Sequence, residues 1–325
     1  MRKLEIAVVA ALCLAMGLIG TSAHGQMSEG EKAAVLLARC DVVTNLTYTT
    51  QSGTELKLDV YLPPLERTLS QGEARPAMPV VVLIHGGGWI AGAKESWHLT
   101  ALPYLQMGFA AVNVEYRLAK VAPAPAAVED CRCALRWVLR NAKRFGFDIN
   151  RIVLTGWSAG GHLALITGML PPSAGLDREC TTEDDSGWED AGSQGEMKVA
   201  AIVNWFGITD VPAMLRAPEE RGYAVEWFGS MPDREEVARR VSPMTYVRSG
   251  TPPVITIHGD KDTLVPYEQA ERLHAALDKA GVPNKLITIP GGGHGGFNAE
   301  QELTAFAEVR RFLVEQGVIG AQGRR

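Results

Sequence analysis

The chain is short of the features that usually announce a partner. No cluster of lysine or arginine stands out along its 325 residues and the formal charge is −5, so nothing is set up to neutralise a run of phosphates, which argues against a nucleic-acid partner. It has no internal repeat and no low-complexity tract, and 46% hydrophobic with 21% charged residues gives no sign of disorder. The apolar run at residues 6–19 is too short for a comfortable membrane span. Cysteine is sparse: of five, Cys13 lies in that run, leaving Cys40, Cys131, Cys133 and Cys180. Cys131 and Cys133 are two apart in a helical pattern and point in different directions, so they are not expected to bridge each other. No second cysteine or histidine pair completes a zinc site with them.

What is present reads as one large α/β domain behind a leader. Arg2 and Lys3 precede the apolar run, and the small residues Ala23 and Gly25 precede Gln26, the pattern of a signal peptide over residues 1–25. The expected mature chain, 26–325, is exported to the periplasm or outside the cell and keeps no membrane attachment. An oxidising compartment permits disulfides among the four remaining cysteines, but spacing does not give the pairing.

Residues 41–50 and 55–62 alternate in polarity across Gln51-Ser52-Gly53-Thr54, which predicts an antiparallel hairpin. Residues 78–84 are continuously apolar, as a strand buried on both faces must be. Strands at 109–114, 152–155, 199–205, 254–258 and 285–289 then alternate with helices at 126–145, 159–169, 267–280 and 303–316. This order predicts a mostly parallel sheet with helices on both faces, whose ligands bind beyond the carboxyl ends of the strands. Two stretches break the alternation: residues 171–196, acidic and rich in Gly and Ser, read as a surface excursion, and 209–244 as a cap over the site.

The organising stretch is Gly156-Trp157-Ser158-Ala159-Gly160, which turns an apolar strand into an alanine- and leucine-rich helix. A serine on so tight a turn is held in strained backbone geometry with its hydroxyl exposed, and the flanking glycines let strand and helix nearly touch. Such a hydroxyl needs a base, and the base an acid. With chain order serine, acid, histidine, the bases available downstream are His274, inside an amphipathic helix, and His294, in a glycine loop after a strand. The loop position makes His294 the candidate. Asp260 and Asp262 follow the strand at 254–258, and either would cap the turn. Asp260 is placed to brace the loop, and Asp262 has the reach to meet an imidazole. The strand at 78–84 exits into His85-Gly86-Gly87-Gly88-Trp89, whose glycines suit backbone N–H groups turned toward an oxyanion; Gly86 and Gly87 with Ala159 are the expected donors, and Gly88 the alternative.

Together with Glu115-Tyr116-Arg117-Leu118, Ser242-Pro243, His258-Gly259-Asp260-Lys261-Asp262 and Gly293-His294-Gly295, these motifs resemble the α/β-hydrolase superfamily over residues 40–318. Within it they resemble the esterases and lipases related to hormone-sensitive lipase and the bacterial acetyl and feruloyl (BD-FAE-like) esterases. The resemblance implies a serine carboxylesterase with Ser158 as nucleophile, His294 as base and Asp262 as acid, acting on short-chain, acetyl or aryl esters, free or linked to polysaccharide, without metal or cofactor. Trp157 departs from the small or acidic residue common before the nucleophile in these esterases and resembles the Gly-Trp-Ser of prolyl oligopeptidase-type peptidases, whose large N-terminal propeller has no room here. The His-Gly-Gly-Gly-Trp element also resembles kynurenine formamidase, so an amide hydrolase is the alternative, and a non-catalytic binding protein on the same fold a more distant one. The aromatic residues Trp89, Trp157, Trp205, Phe206, Tyr223 and Trp227 near these loops are available for an apolar acyl or aryl pocket or for the core, with Trp89 and Trp157 the candidate pocket residues.

Overall fold

Seven consecutive residues, Met78–Ile84, form β3, the longest strand of the sheet that is buried from end to end. Their side chains split by parity: Val80, Val82 and Ile84 enter one apolar core, Val81 and Leu83 the other. Full burial of each is worth about 1.5–3 kcal/mol, so the run anchors both cores at once. The structure, a computed structural model, describes residues 35–65, 75–176, 180 and 197–321. The expected leader at 1–25 and most of the excursion at 171–196 lie outside them.

Eight strands run in the order β1 (Asp41–Gln51), β2 (Thr54–Leu62), β4 (Ala110–Val114), β3, β5 (Phe147–Trp157), β6 (Ala201–Trp205), β7 (Val254–Gly259), β8 (Asn284–Ile289). Strand β2 pairs antiparallel with both neighbours, and every other pairing from β4 to β8 is parallel. The antiparallel hairpin and the parallel remainder are those expected. One core lies under α2 (Ala126–Arg140), α4 (Ala159–Met169) and α7 (Glu268–Lys279); the other lies under α1 (Leu102–Gln106) and α8 (Ala299–Glu315).

Local chemistry adjusts several boundaries. The expected helix at 126–145 breaks at Asn141, whose side-chain N–H donates to the Trp137 carbonyl, and resumes as α3 (Ala142–Phe145), which stops at Gly146 with φ +74°. Helix α8 starts before its apolar periodicity does. Asn298 caps it, accepting from Gln301 N–H at 2.9 Å while Gln301 accepts from Asn298 N–H, so an exposed polar first turn precedes Leu303. A 3-10 segment, Lys94–Ala101, leads into α1, where no helix was expected. Between β6 and β7 lie two short helices, α5 (Gly222–Phe228) and α6 (Arg234–Arg240).

Cys133 of α2 is bonded to Cys180, with Cα atoms 5.0 Å apart, and Cys40 and Cys131 are free thiols. Among the described residues no helix is long and apolar enough to cross a membrane, and no group of three or more His, Cys, Asp or Glu side chains is arranged to hold a metal.

Candidate active site

Ser158 sits between β5 and α4 with φ +55°, a left-handed conformation costing about 1–3 kcal/mol for a residue other than glycine. Crowding enforces it. A Cβ on Gly156 would lie 2.3 Å from the Gly160 carbonyl oxygen, and one on Gly160 would lie 2.1 Å from the carbonyl oxygen of Ile84. Strand, serine turn and helix therefore close on the exit of β3, and a Cβ on Gly86 would meet the Trp157 carbonyl oxygen at 2.8 Å and Ser158 Cβ at 3.6 Å.

Three side chains far apart in the chain meet here. Ser158 Oγ is 2.8 Å from His294 Nε2, and His294 Nδ1 is 2.7 Å from Asp262 Oδ2. With its proton on Nδ1, the imidazole donates to Asp262 and presents Nε2 as acceptor for the serine hydroxyl. Asp262 Oδ1 accepts from the N–H groups of Leu264 and Val265 at 2.8 and 2.9 Å. Burial alone would raise this carboxyl's pKa; hydrogen bonds from His258, His294 and the Val265 N–H outweigh it and hold the group well below the usual carboxylate range. Asp260 instead accepts from Gly291 N–H at 2.7 Å, bracing the start of the glycine loop.

The exit of β3 turns back on itself, Gly87 C=O accepting from both Ile90 and Ala91 N–H, with Gly87 and Gly88 at φ +119° and +59°. Buried His85 donates from Nδ1 to the Gly86 carbonyl and stacks on Tyr116 at 4.2 Å; burial lowers its pKa to about 4, so it is a neutral support. Tyr116 O–H donates to the His85 carbonyl, and Arg117 is tied to buried Asp130 of α2 through Nε and Nη2, which gives the Glu-Tyr-Arg-Leu motif its place beneath the loop. Gly86 and Gly87 border a cavity of ≈ 350 Å³ that contains Ser158, Tyr223, Leu264 and His294. Ala159 opens α4, where the first N–H groups have no intrahelical acceptor.

A second cavity, ≈ 440 Å³, shares His294 and Trp97 with the first and is walled by Trp97, Trp157, Trp205, Phe206 and Phe297. Trp157 thus lines a pocket and Trp89 does not. Trp89 is fully buried, stacks on Trp227 at 4.1 Å and donates its indole N–H to His162 Nδ1 at 3.2 Å, so it belongs to the core under α5 and borders neither cavity. His162 in turn donates from Nε2 to the Val241 carbonyl, and burial lowers its pKa to about 4. His274, the rejected base, hydrogen-bonds Asn284 away from the site.

Sequence reasoning missed His258 and reached Phe206 and Tyr223 only as aromatic residues available for a pocket. His258 Nε2 is shared between Asp262 Oδ2 at 3.1 Å and the Val265 carbonyl at 3.0 Å, and its Nδ1 has no hydrogen-bond partner. Its signal was a histidine ending an apolar strand four residues before the acid. Phe206 holds its ring 4.8 Å from His294 at φ +41°, and the Phe206-Gly207 pair after a strand is a faint mark of that turn. Tyr223 crosses Gly88 and donates its O–H to the Leu264 carbonyl at 3.0 Å, joined there by Arg221 Nε at 3.1 Å, and nothing local in the sequence points to either.

The BD-FAE family model matches residues 58–277. Among curated proteins, the esterase LipC of Mycobacterium tuberculosis is 31% identical over 68% of this chain and 53% of its own length, and the esterase LipQ of the same organism 28% identical over 82% of this chain and 58% of its own length, so this chain spans little more than half of either. Among solved structures, a truncated carbohydrate esterase from gut microbiota superposes with a TM-score of 0.69 at 28% identity, over 85% of this chain and 96% of that one. A propionate-bound esterase of the Planctomycetes species Thermogutta terrifontis superposes with a TM-score of 0.68 at 25% identity, over 88% and 98%.

Proposed function

The chain belongs to the BD-FAE family, and from that membership and the geometry of its site we propose that it is a serine carboxylesterase hydrolysing short-chain, acetyl or aryl esters through an acyl-enzyme. The observation that carries the reading is the unbroken chain Ser158 Oγ, His294 Nε2, His294 Nδ1, Asp262 Oδ2, with links of 2.8 and 2.7 Å. His294 takes the serine proton as Ser158 attacks the ester carbonyl, and the oxyanion is held by the N–H groups of Gly86, Gly87 and Ala159, each such donor being worth roughly 10²–10³ in kcat. Collapse expels the alcohol with the proton from His294. Water then enters, gives its proton to the same nitrogen and releases the acid. Asp262, kept anionic by its hydrogen bonds, fixes the imidazole tautomer and steadies its charge throughout. The segment 209–244 supplies Tyr223 over the oxyanion loop, which supports a capping role.

A solved relative that carries propionate supports short acyl groups, and one that is a carbohydrate esterase supports acylated saccharides among the candidate substrates. The test is turnover of 4-nitrophenyl acetate and butyrate. Ser158→Ala is expected to lower kcat by about 10⁴ or more, and a dialkyl 4-nitrophenyl phosphate to add one phosphoryl group to the peptide bearing Ser158. Turnover that survives Ser158→Ala overturns the mechanism, faster cleavage of N-formylkynurenine than of any ester turns it into an amide hydrolase, and no turnover at all leaves a binding protein. Export belongs to the same proposal. The disulfide Cys133–Cys180 supports an oxidising compartment, and secreted protein is expected to begin at Gln26 on N-terminal sequencing.

A further inference from the structure

Both cavities border His294 and Trp97, yet they differ in everything else. The first holds Ser158 and the glycines of the oxyanion loop; the second holds neither. That asymmetry sorts the two halves of an ester. In a tetrahedral intermediate on Ser158, one oxygen points at Gly86 and Gly87, and the leaving oxygen must come within reach of Nε2, which carries the serine proton. Whatever substituent that oxygen bears therefore starts out beside His294, which lines the second cavity as well as the first. The acyl chain stays with Ser158 in the first.

The wall of the second cavity is a run of ring faces. Trp97 packs on Trp157 at 5.4 Å between centroids, Trp157 stacks on Trp205 at 5.7 Å and 15°, and Phe206 meets Phe297 edge-on at 5.8 Å. Apart from His294 and the indole N–H groups, its polar side chains are Thr100, which spends its hydroxyl on the Trp97 carbonyl, and exposed Glu302. A sugar ring would find few fixed partners for its hydroxyls there, whereas a flat apolar ring would stack on indole faces. The central indole belongs to Trp157, which packs against both Trp97 and Trp205 and directly precedes the nucleophile.

Resting on the esterase reading above, we propose that this cavity is the alcohol subsite and that it takes an aromatic alcohol, the acyl group being short and aliphatic. In the first step the bond from Ser158 Oγ to the acyl carbon forms as its proton passes to His294 Nε2, and the bond from the acyl carbon to the oxygen that bears the arylmethyl or aryl group breaks. The electron pair stays on the departing oxygen, which takes the proton from His294 Nε2.

An isomeric pair tests it. Benzyl acetate and methyl phenylacetate have the same atoms and leaving alcohols of nearly equal acidity, with the ring on opposite sides of the ester. Relative to their alkaline hydrolysis rates, kcat/KM is expected to favour benzyl acetate by tenfold or more, and that preference to fall at least fivefold in Trp157→Ala. Because Trp157 adjoins the nucleophile, Phe297→Ala, on a different loop, is measured beside it and is expected to lower the same ratio. A preference for methyl phenylacetate, a ratio untouched by both substitutions, or faster cleavage of a mono-acetylated methyl pyranoside overturns the proposal. If neither isomer is cleaved while 4-nitrophenyl acetate is, the subsite falls and the esterase stands. Loss of every ester substrate removes the esterase reading itself.

Discussion

On the Ser158 side of the site the backbone is held by contact: Gly156, Gly160 and Gly86 are packed so closely that a single methyl on any of them would strike a carbonyl oxygen at 2.1–2.8 Å. On the His294 side one such contact, Gly259 against the Gly292 carbonyl oxygen at 2.2 Å, is joined by many hydrogen bonds: Asp262 gathers four donors, Asp260 grips Gly291, and Tyr223 and Arg221 reach across from the start of α5 to Leu264. Contact admits almost no substitution and needs no particular chemistry. Hydrogen bonds tolerate changes of volume and fail when a donor is lost. The nucleophile is thus fixed by crowding, and the base, which must accept and return a proton, is fixed chiefly by polar groups that also orient its ring.

The sharpest way to break this contrast is to add the same methyl on both sides. Gly160→Ala, meeting the Ile84 carbonyl, is expected to destabilise by roughly 4 kcal/mol or more. Gly293→Ala, which would meet nothing within 4 Å, is expected to change stability by no more than about 0.5 kcal/mol. Chemical denaturation of the two variants measures the difference, and equal losses would erase the distinction.

Acidification probes the supports beneath the crowded side. Burial lowers His85 and His162 to about 4, so the unfolded chain takes up protons first as pH falls below the ordinary value near 6.5. The stability these neutral rings contribute is present above that value and is lost progressively down to about pH 4, by up to about 3 kcal/mol each. Unfolding free energy measured between pH 7.5 and 4.5 is expected to slope accordingly, and less steeply in His162→Gln; a flat profile would show that the rings are not held neutral.

The smallest effect concerns the polar side. His258→Phe keeps the volume and removes one donor from Asp262, and is expected to lower kcat about 10- to 100-fold with little change in KM, as second-layer partners of a reacting group often do. His258→Gln, which restores an N–H, is expected to recover much of it. Equal losses in both variants would reduce His258 to packing.

The same division explains what could be read before the structure was known. Crowding writes itself locally as glycine, so the turn at Ser158 and the loop at Gly86–Gly88 were visible, and the unbroken apolar run of β3 declared burial on both faces. His294 was visible as well, because it stands in a glycine loop after a strand. Long-range hydrogen bonds leave no such trace. His258 reads as the last residue of an apolar strand, and Tyr223 as one aromatic among several. Trp89 was misread because proximity in sequence to Gly88 does not say which way an indole turns, and at φ +62° it turns inward under α5. That Cys133 and not Cys131 bonds Cys180 depends on which side of α2 faces residue 180, which no spacing encodes.

The bond between Cys133 and Cys180 joins positions 47 apart, and between them lie all of β5, Ser158 and all of α4. A denatured molecule therefore carries its nucleophile inside a closed covalent ring, and the loop-entropy estimate for such a ring is about 4 kcal/mol of disorder denied to the unfolded chain. Thermal inactivation under non-reducing conditions leaves the two ends of the elbow-forming segment tethered, so recovery of activity on cooling becomes a property of the oxidised molecule that reductant takes away.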